Sequence, residues 1–413
     1  MAIVVLKFGG TSLASEAMRE QAVERVKEAK AAGDQVVVVV SAMGRRGSAY
    51  ATDTLLDLMS GITQRPDRRV LDLLLSCGEL ISASLMAQLL TERGLEAVPL
   101  TGGQAGIITD NEFGNARIVE VRPKGILEEL KKGRVVVVAG FQGVTPNQEI
   151  TTLGRGGSDT TAAALGVALG AKAIYIFTDV DGILTADPRI VPDAQLVPST
   201  TYREVAELAQ LGARVIHPRA VEIAAAGRIP LIIRATDKAG AGTVIWDGPG
   251  DGPVEIRADR PVGAVTQITG LALVSVIPAH DQEISMEQAR QLFQNVAELG
   301  VSVDLIFLSP TLVGFCVRQE EAEAVENRLR ELSFNVKVKA GYAKVSCVGA
   351  GMRGVPGVMA RIVEALHETD VRVYHTSDSH ASISCLVEEK DYMKAVRALH
   401  DKFHLGSTNV RGS

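Results

Sequence analysis

Along the first part of the chain, short unbroken apolar runs alternate with longer stretches of helical periodicity. Residues 3–8 (IVVLKF), 36–42 (VVVVVSA) and 135–143 (VVVVAGFQG) are β-branched runs with little polar alternation, the last breaking at its glycines. That is the pattern of parallel strands covered on both faces. Residues 16–32 place Met18, Ala22, Val26 and Ala29 on one helical face, and further helices are predicted over 53–60 and 68–92. Residues 96–102 (EAVPLTG) predict a strand, 159–170 (DTTAAALGVALG) a helix of small residues, 172–182 (KAIYIFTDVDG) a strand running into an acidic loop, and 229–236 (IPLIIRAT) a last strand. Such alternation predicts an α/β sandwich (αβα) with a mostly parallel sheet. The loops GGTS, SAMG, GFQG and TDVDG follow the carboxyl ends of these strands, the edge at which open α/β sheets bind ligands.

The texture changes after residues 246–256 (WDGPGDGPVEI), which are dense in Gly, Pro and Asp and predict a linker. Beyond it a pattern occurs twice. Strand 271–277, helix 285–299, strands 300–307 and 312–317 and helix 320–332 form one unit. Strand 343–349, helix 357–368, strands 370–377 and 381–387 and helix 391–403 form the next, at an offset that maps Gly300 onto Asp370 and Val317 onto Val387. Each reads βαββα with a short closing strand, the order of a ferredoxin-like module. The expected division is a catalytic domain over 1–245, a linker over 246–262, and modules over 263–341 and 342–413.

Composition narrows the function classes. A chain of 413 residues predicts two or three domains. Hydrophobic residues make up 46% and charged residues 22%, which suits a globular protein, and a net charge of -6 gives no reason to expect nucleic acid. No long uncharged apolar run predicts a membrane span, and the N-terminus reads directly into a strand with no leader-like pattern, so a cytoplasmic protein is expected. Cys77, Cys316, Cys347 and Cys385 lack CxxC spacing and read as free, mostly buried thiols, with Cys77 as a small core residue. All seven histidines lie at or after His217, so chemistry in the first 200 residues must work without an imidazole base or a His-rich metal site.

Two glycine-rich stretches carry the candidate chemistry: KFGGTS (7–12) and GRGGSD (154–159). Neither is a Walker A loop. Glycines leading into a helix start expose backbone N–H groups at a positive dipole end, which attracts phosphate. Lys7 at the strand end can offset charge on a transferring phosphoryl group. Two such loops converging from two strands can hold the two ends of a phosphoryl transfer. Taken singly, each feature has an ordinary explanation: a tight βα turn, a solvated lysine, an Asx-type turn at TDVDG, a solvated Glu79 in SCGE, and surface arginines at Arg189 and Arg214.

In combination they carry more. KFGGTS, VVSAMG, SCGE, FQG, GRGGSDTTAA, FTDVDGILTADPR and GARVIHPRAVE follow in this order from residue 7 to residue 222. This resembles the aspartate kinases of the amino acid kinase superfamily, and the two C-terminal repeats resemble their paired ACT regulatory modules. The resemblance implies that MgATP and L-aspartate give ADP and 4-phospho-L-aspartate, the first step toward lysine, threonine, methionine and diaminopimelate. A carboxylate nucleophile is already ionised at neutral pH, with an ordinary pKa of about 3.9, so no base is needed. Catalysis then reduces to aligning two anions and neutralising them.

The same resemblance implies roles by motif position. Lys7 stabilises the transferring group and Asp159 holds it. Gly9, Gly10, Thr11 and Ser41 line the phosphate path. Arg155 pairs with the α-carboxylate of aspartate and Glu79 takes the α-ammonium, while Thr52, Phe141, Gln142 and Ser158 complete the acceptor pocket. Thr178, Asp179, Asp181, Gly182, Arg189 and Arg214 contact ATP, with Arg214 standing where the family often has lysine. Mg2+ is held by ATP oxygens and water, with no protein metal site.

In the regulatory half the resemblance implies an amino-acid effector and a homodimer, or a higher homo-oligomer, paired through the modules. Asp304, Ser309, Val358, Met359 and Asp378 are the candidate effector residues. SVDLIFLS keeps Asp304 but has Leu308 and Ser309 where the family carries a Gln-Asn pair. YHTSDSHAS (374–382) resembles the diaminopimelate-sensitive bacterial branch, which makes diaminopimelate the expected effector and lysine or threonine the alternatives. The competing expectations are a kinase for glutamate, acetylglutamate or a nucleotide, and a non-catalytic amino-acid sensor.

Overall fold

The computed structural model describes residues 1–213, 215–247, 261–278, 283–349, 352 and 355–406. Most of the expected linker, and Arg214, lie outside the described residues. The chain forms two compact units. The first holds Met1–Ile183, Leu196–Gln210 and residues 215–247. The second holds Leu184–Gln195, Leu211–Ala213 and the described residues from 261 onward.

In the first unit the elements run β1 (Ile3–Phe8), α1 (Glu16–Ala31), β2 (Gln35–Val40), α2 (Thr52–Ser60), α3 (Arg68–Glu92), β3 (Ala97–Leu100), β4 (Ile107–Thr109), β5 (Ile118–Val121), α4 (Lys124–Lys131), β6 (Val135–Ala139), β7 (Gln142–Val144), β8 (Ile150–Thr152), α5 (Gly157–Ala168), β9 (Ala173–Thr178), β10 (Ser199–Thr200), α6 (Tyr202–Gln210), α7 (Pro218–Gly227), β11 (Leu231–Ala235) and β12 (Thr243–Ile245). An eight-stranded sheet has the order β10-β12-β11-β9-β1-β2-β6-β3, parallel except where β11 meets β12. The five valines of β2 are all buried, which is why the run shows no alternation. Alternate residues Val4, Leu6, Phe8, Val38 and Val40 pack with Val23 and Val26 of α1 and Met86 and Leu90 of α3. A four-stranded sheet, β5-β4-β7-β8, stands apart from it.

The run 135–143 breaks beside Gly140, as its glycines predict: Phe141 has a φ of 68°, in the left-handed region, and β7 then joins the smaller sheet. One expectation changes here. Cys77 is exposed, whereas Cys316, Cys347 and Cys385 are buried. On α3 the buried residues Asp72, Leu75, Ser76 and Glu79 define the inner face, and Cys77 falls outside it. By length and composition α3 could cross a bilayer, but half of its most apolar window is buried inside the protein, as in a core helix.

The second unit holds β13 (Ala264–Val276), α8 (Met286–Glu298), β14 (Asp304–Ser309), β15 (Leu312–Arg318), α9 (Ala322–Glu331), β16 (Val336–Val348), α10 (Val358–Glu368), β17 (His375–Asp378), β18 (Ser382–Glu388) and α11 (Tyr392–Lys402). One antiparallel sheet has the order β14-β15-β13-β16-β18-β17. The two long central strands serve both repeats. Ala272–Val276 pairs with β15 and with residues 336–340, while 264–268 pairs with 344–348, with register shifts between Ile268 and Ala272. The expected closing strand after 403 is therefore supplied by 264–268, which precedes the first repeat in sequence. Leu292, Val296, Phe315 and Leu329 centre one core; Val265, Val345, Ile362, Val396 and Leu399 centre the other. Ala186, Ile190 and Val191 pack into this second core, although their sequence lies among the catalytic motifs.

Candidate active site

The register of the large sheet sets the site. Phe8 pairs with Val40 and Phe177, and Ala235 with Thr178, so β1, β2, β9 and β11 end at one edge. The loops that follow carry KFGG, SAMG, TDVDG and TDK. Backbone hydrogen bonds from Gly9 N–H to Phe177 O (3.3 Å) and from Ser41 N–H to Phe8 O (3.2 Å) lace them together. Thr236 Oγ1 donates to Ser12 Oγ at 2.7 Å, and Ser12 Oγ reaches Phe177 O at 3.4 Å.

Gly10 is required by close approach. A Cβ there would lie 2.6 Å from Ala42 O and 2.8 Å from Gly44 O. Gly44 N–H in turn donates to Gly10 O at 2.9 Å, so the first and second loops are locked backbone to backbone. The glycines lead into a short 3-10 turn at Thr11–Leu13, and the long helix α1 starts later, capped by Ser15. In the other loop, α5 begins at Gly157, two residues before the expected start, with Gly156 as a left-handed N-cap at φ 68° and no side-chain cap. Gly157 N–H donates back to Gly154 O at 3.0 Å, and the N–H groups of Ser158 and Asp159, ahead of the first helical bond from Thr160, keep the dipole end available to an anion. A Cβ on Gly156 would meet His217 Cγ at 2.2 Å, so His217, which caps α7, presses directly on this loop.

The two loops converge on one ion pair. Lys7 Nζ lies 2.6 Å from Asp159 Oδ1, with side-chain exposures of 12% and 14%. Ser158 is buried beside it and Arg155 is exposed at the loop tip.

Helix α3 brings the third component. Glu79 is 2% exposed; Oε1 accepts from Ala42 N–H at 3.0 Å, and Oε2 is buried with no partner. Burial pushes its pKa up to about 8, against the opposing pull of the Ala42 N–H. Gln142 is 2% exposed and donates from Nε2 to Ser76 O of α3 at 3.0 Å. Phe141 keeps its left-handed backbone, with its N–H bonded to Thr161 Oγ1 at 3.1 Å; strain of this kind concentrates at ligand sites. Thr52 opens α2.

At the expected nucleotide loop, Thr178 donates to Asp179 at 3.1 Å. Asp179 pairs with Arg45 at 2.8 Å and Asp181 with Lys238 at 3.1 Å, all on half-exposed or exposed side chains. Gly182 follows directly. Arg189 belongs to the second unit. It forks onto Asp187, with Nη2 to Oδ2 at 2.7 Å, within the 184–195 segment of the second unit. Arg45 and Lys238 are additions that the motifs did not single out. Their signal was a basic residue in the loop after a parallel strand. Buried Asp72 on α3 is another, visible only as an acid inside an apolar helix. Among the described residues no group of three or more His, Cys, Asp or Glu side chains is arranged to hold a metal ion.

The expected effector residues divide. Asp304 pairs with the buried Lys344 and accepts from Leu305 N–H at 2.8 Å. Ser309 exchanges hydrogen bonds with Leu312 and closes the β14–β15 turn. Val358 is buried at the start of α10, whereas Met359 and Asp378 are exposed. Ser309 and Val358 thus also serve the fold.

The family model for the amino acid kinase family matches residues 2–235, and an ACT domain model matches residues 345–403. Aspartokinase 1 of Bacillus subtilis is 42% identical over 405 residues, covering 98% of this chain and 100% of that protein. E. coli aspartokinase III, solved with aspartate and ADP in an R-state, superposes with a TM-score of 0.77 at 26% identity, covering 97% of this chain and 99% of that one. The same enzyme solved with lysine and aspartate in a T-state matches with the same figures.

Proposed function

The chain belongs to the aspartokinases of the amino acid kinase family, and we propose that its first unit moves the γ-phosphoryl group of ATP onto the side-chain carboxylate of L-aspartate. A carboxylate oxygen forms the new P–O bond as the bond to the β,γ-bridging oxygen breaks, leaving ADP and 4-phospho-L-aspartate. No proton moves at the attacking group, which suits a sheet edge whose loops carry no histidine before His217.

The observation that carries this reading is the Lys7–Asp159 pair joining the two glycine loops, together with a buried Glu79 that is bonded to Ala42 of the adjoining loop and has one unpartnered oxygen. Lys7 is placed to neutralise the transferring phosphoryl group, and Asp159 holds its ammonium in position. Glu79 Oε2 is a buried acceptor that the α-ammonium of aspartate would satisfy. Arg155, at the tip of the loop, offers a fork for the α-carboxylate. Gly9, Gly10, Thr11 and Ser41 line the phosphate path, and Thr178, Asp179, Asp181 and Gly182 flank the nucleotide with Arg45 and Lys238. The donor set fits Mg2+ carried in by ATP, because the nearby carboxylates are few and already paired with cations. When bound, Mg2+ supplies further charge neutralisation on the phosphate oxygens.

The second unit is the regulatory half. It binds an effector amino acid, with diaminopimelate as the first candidate and lysine or threonine as alternatives, and its modules pair two chains in a cytoplasmic homodimer. The E. coli enzyme solved with lysine supports an amino-acid effector of this type.

The test is ATP turnover with hydroxylamine present to trap an acyl phosphate. L-Aspartate and L-glutamate are offered separately, then diaminopimelate, lysine and threonine are added in turn. A hydroxamate from aspartate alone is the expected result. Hydroxamate from glutamate alone, or from neither, overturns the substrate reading, and inhibition by lysine or threonine without diaminopimelate overturns the effector.

A further inference from the structure

We infer that Asp72 is a positioning residue that fixes the spacing between Glu79 and Arg155, the two groups that read the α-ammonium and α-carboxylate of the substrate. This rests on the substrate reading above and deepens it.

Asp72 is fully buried in the apolar first half of α3. One carboxylate oxygen accepts from Gly114 N–H at 2.9 Å and from Thr152 N–H at 2.7 Å; the other accepts from Thr152 Oγ1–H at 2.8 Å. Burying an acid among apolar residues is costly unless such donors satisfy it. Asp72 and Glu79 stand seven residues apart, two helical turns, on the same buried face. Thr152 ends β8, three residues before Arg155. The clamp therefore joins the helix that carries Glu79 to the strand that delivers Arg155.

The second anchor reinforces it. Ala116 N–H donates to Thr152 O at 2.9 Å, and a Cβ on Gly154 would lie 2.8 Å from Asn115 Oδ1, so the 114–116 turn and the 152–155 loop move as one body. Arg219 of α7 holds the same body from another side, donating to Leu153 O at 3.3 Å and Ala116 O at 3.1 Å. Apolar packing alone would allow α3 to slide along β8. Three directional bonds to one carboxylate do not.

The experiment is steady-state kinetics on D72A in the full-length enzyme, with T152V, E79Q and R155K alongside. Alanine offers no acceptor to the N–H groups of Gly114 and Thr152 or to the Thr152 hydroxyl, so the whole clamp is lost. The expected result is a rise of about tenfold in KM for aspartate, with KM for ATP within about twofold of wild type. T152V, which removes only the hydroxyl bond, raises KM for aspartate less and keeps the wild-type melting temperature more nearly. If D72A melts lower but leaves KM for aspartate unchanged, or raises both KM values equally, Asp72 is only structural and the inference fails. If D72A does not fold, T152V decides: an unchanged KM for aspartate refutes the clamp. If E79Q and R155K both leave KM for aspartate untouched, the substrate reading itself is wrong.

Discussion

Glu79 should make aspartate binding release a proton. In the free enzyme its pKa lies at about 8, so at pH 7 roughly nine molecules in ten carry the neutral acid. An ammonium group arriving at Oε2 favours the carboxylate, and ionising Glu79 first costs about 1.4 kcal/mol at pH 7 for the one pH unit below its pKa. The dissociation constant for aspartate should therefore fall about tenfold between pH 6 and 7 and about fivefold more between pH 7 and 8, then level off. Titration calorimetry at pH 7 in buffers of different ionisation enthalpy should count about 0.9 proton released per aspartate bound. E79Q keeps the shape but has no charge to offer. Losing a charge-assisted hydrogen bond of about 1.5–3 kcal/mol should weaken aspartate binding about tenfold to a hundredfold above pH 8. The gap should narrow near pH 6, where the wild-type residue is itself almost entirely neutral, and E79Q should show no proton release. A flat affinity from pH 6 to 9 in the wild type, or an unchanged pH slope in E79Q, would refute the assignment of the α-ammonium to this carboxylate.

Three further outcomes are expected. K7A should lose at least about a hundredfold in turnover while keeping its circular dichroism spectrum and effector binding, because the loss of a preorganised cation falls on the transition state; near-normal turnover would remove Lys7 from the mechanism. G10A should destabilise the first unit by about 1–3 kcal/mol in urea unfolding, since its Cβ meets two backbone carbonyls rather than movable side chains; a neutral result would mean the loops are not locked as described. Without ligand, stability should decline for wild type relative to E79Q as pH rises from 4.5 to 8. In that window the folded Glu79 keeps a proton that the unfolded chain has lost, so the favourable contribution is complete below 4.5 and gone above 8. Parallel melting curves for the two proteins across this window would contradict the shift.

The central strands were legible because their environment is uniform. IVVLKF and VVVVV are covered on both faces, and their composition says so without help from distant partners. Helices α2 and α3 were equally clear. The glycines marked the break in 135–143, but nothing in the run marked Phe141 itself as the left-handed residue. The three-residue strands β4, β7 and β8 are too short to display a period. Residues 264–268 were passed over for a different reason: AVTQI has no local feature that reveals a partner at 344–348. At the site, Lys7, Asp159 and Glu79 were legible through motif order. Asp72, Arg45 and Lys238 were not, since their meaning lies in the loops they meet in space. Arg189 carries its motif position, and its guanidinium pairs with Asp187.

The shared strands of the second unit impose an order on its assembly. The first repeat can close on itself once β16 has been made, because Ala272–Val276 needs only β15 and residues 336–340. The second cannot, since one of its strands is synthesised before the whole of the first and must be kept free until residues 344–348 emerge. The first repeat is thus topologically an insertion within the second, and a protein cut back to residue 341 would not be a shorter regulatory half but one with an orphaned strand edge, open to pairing with another chain. The natural unit of exchange, whether in the laboratory or in evolution, is the pair.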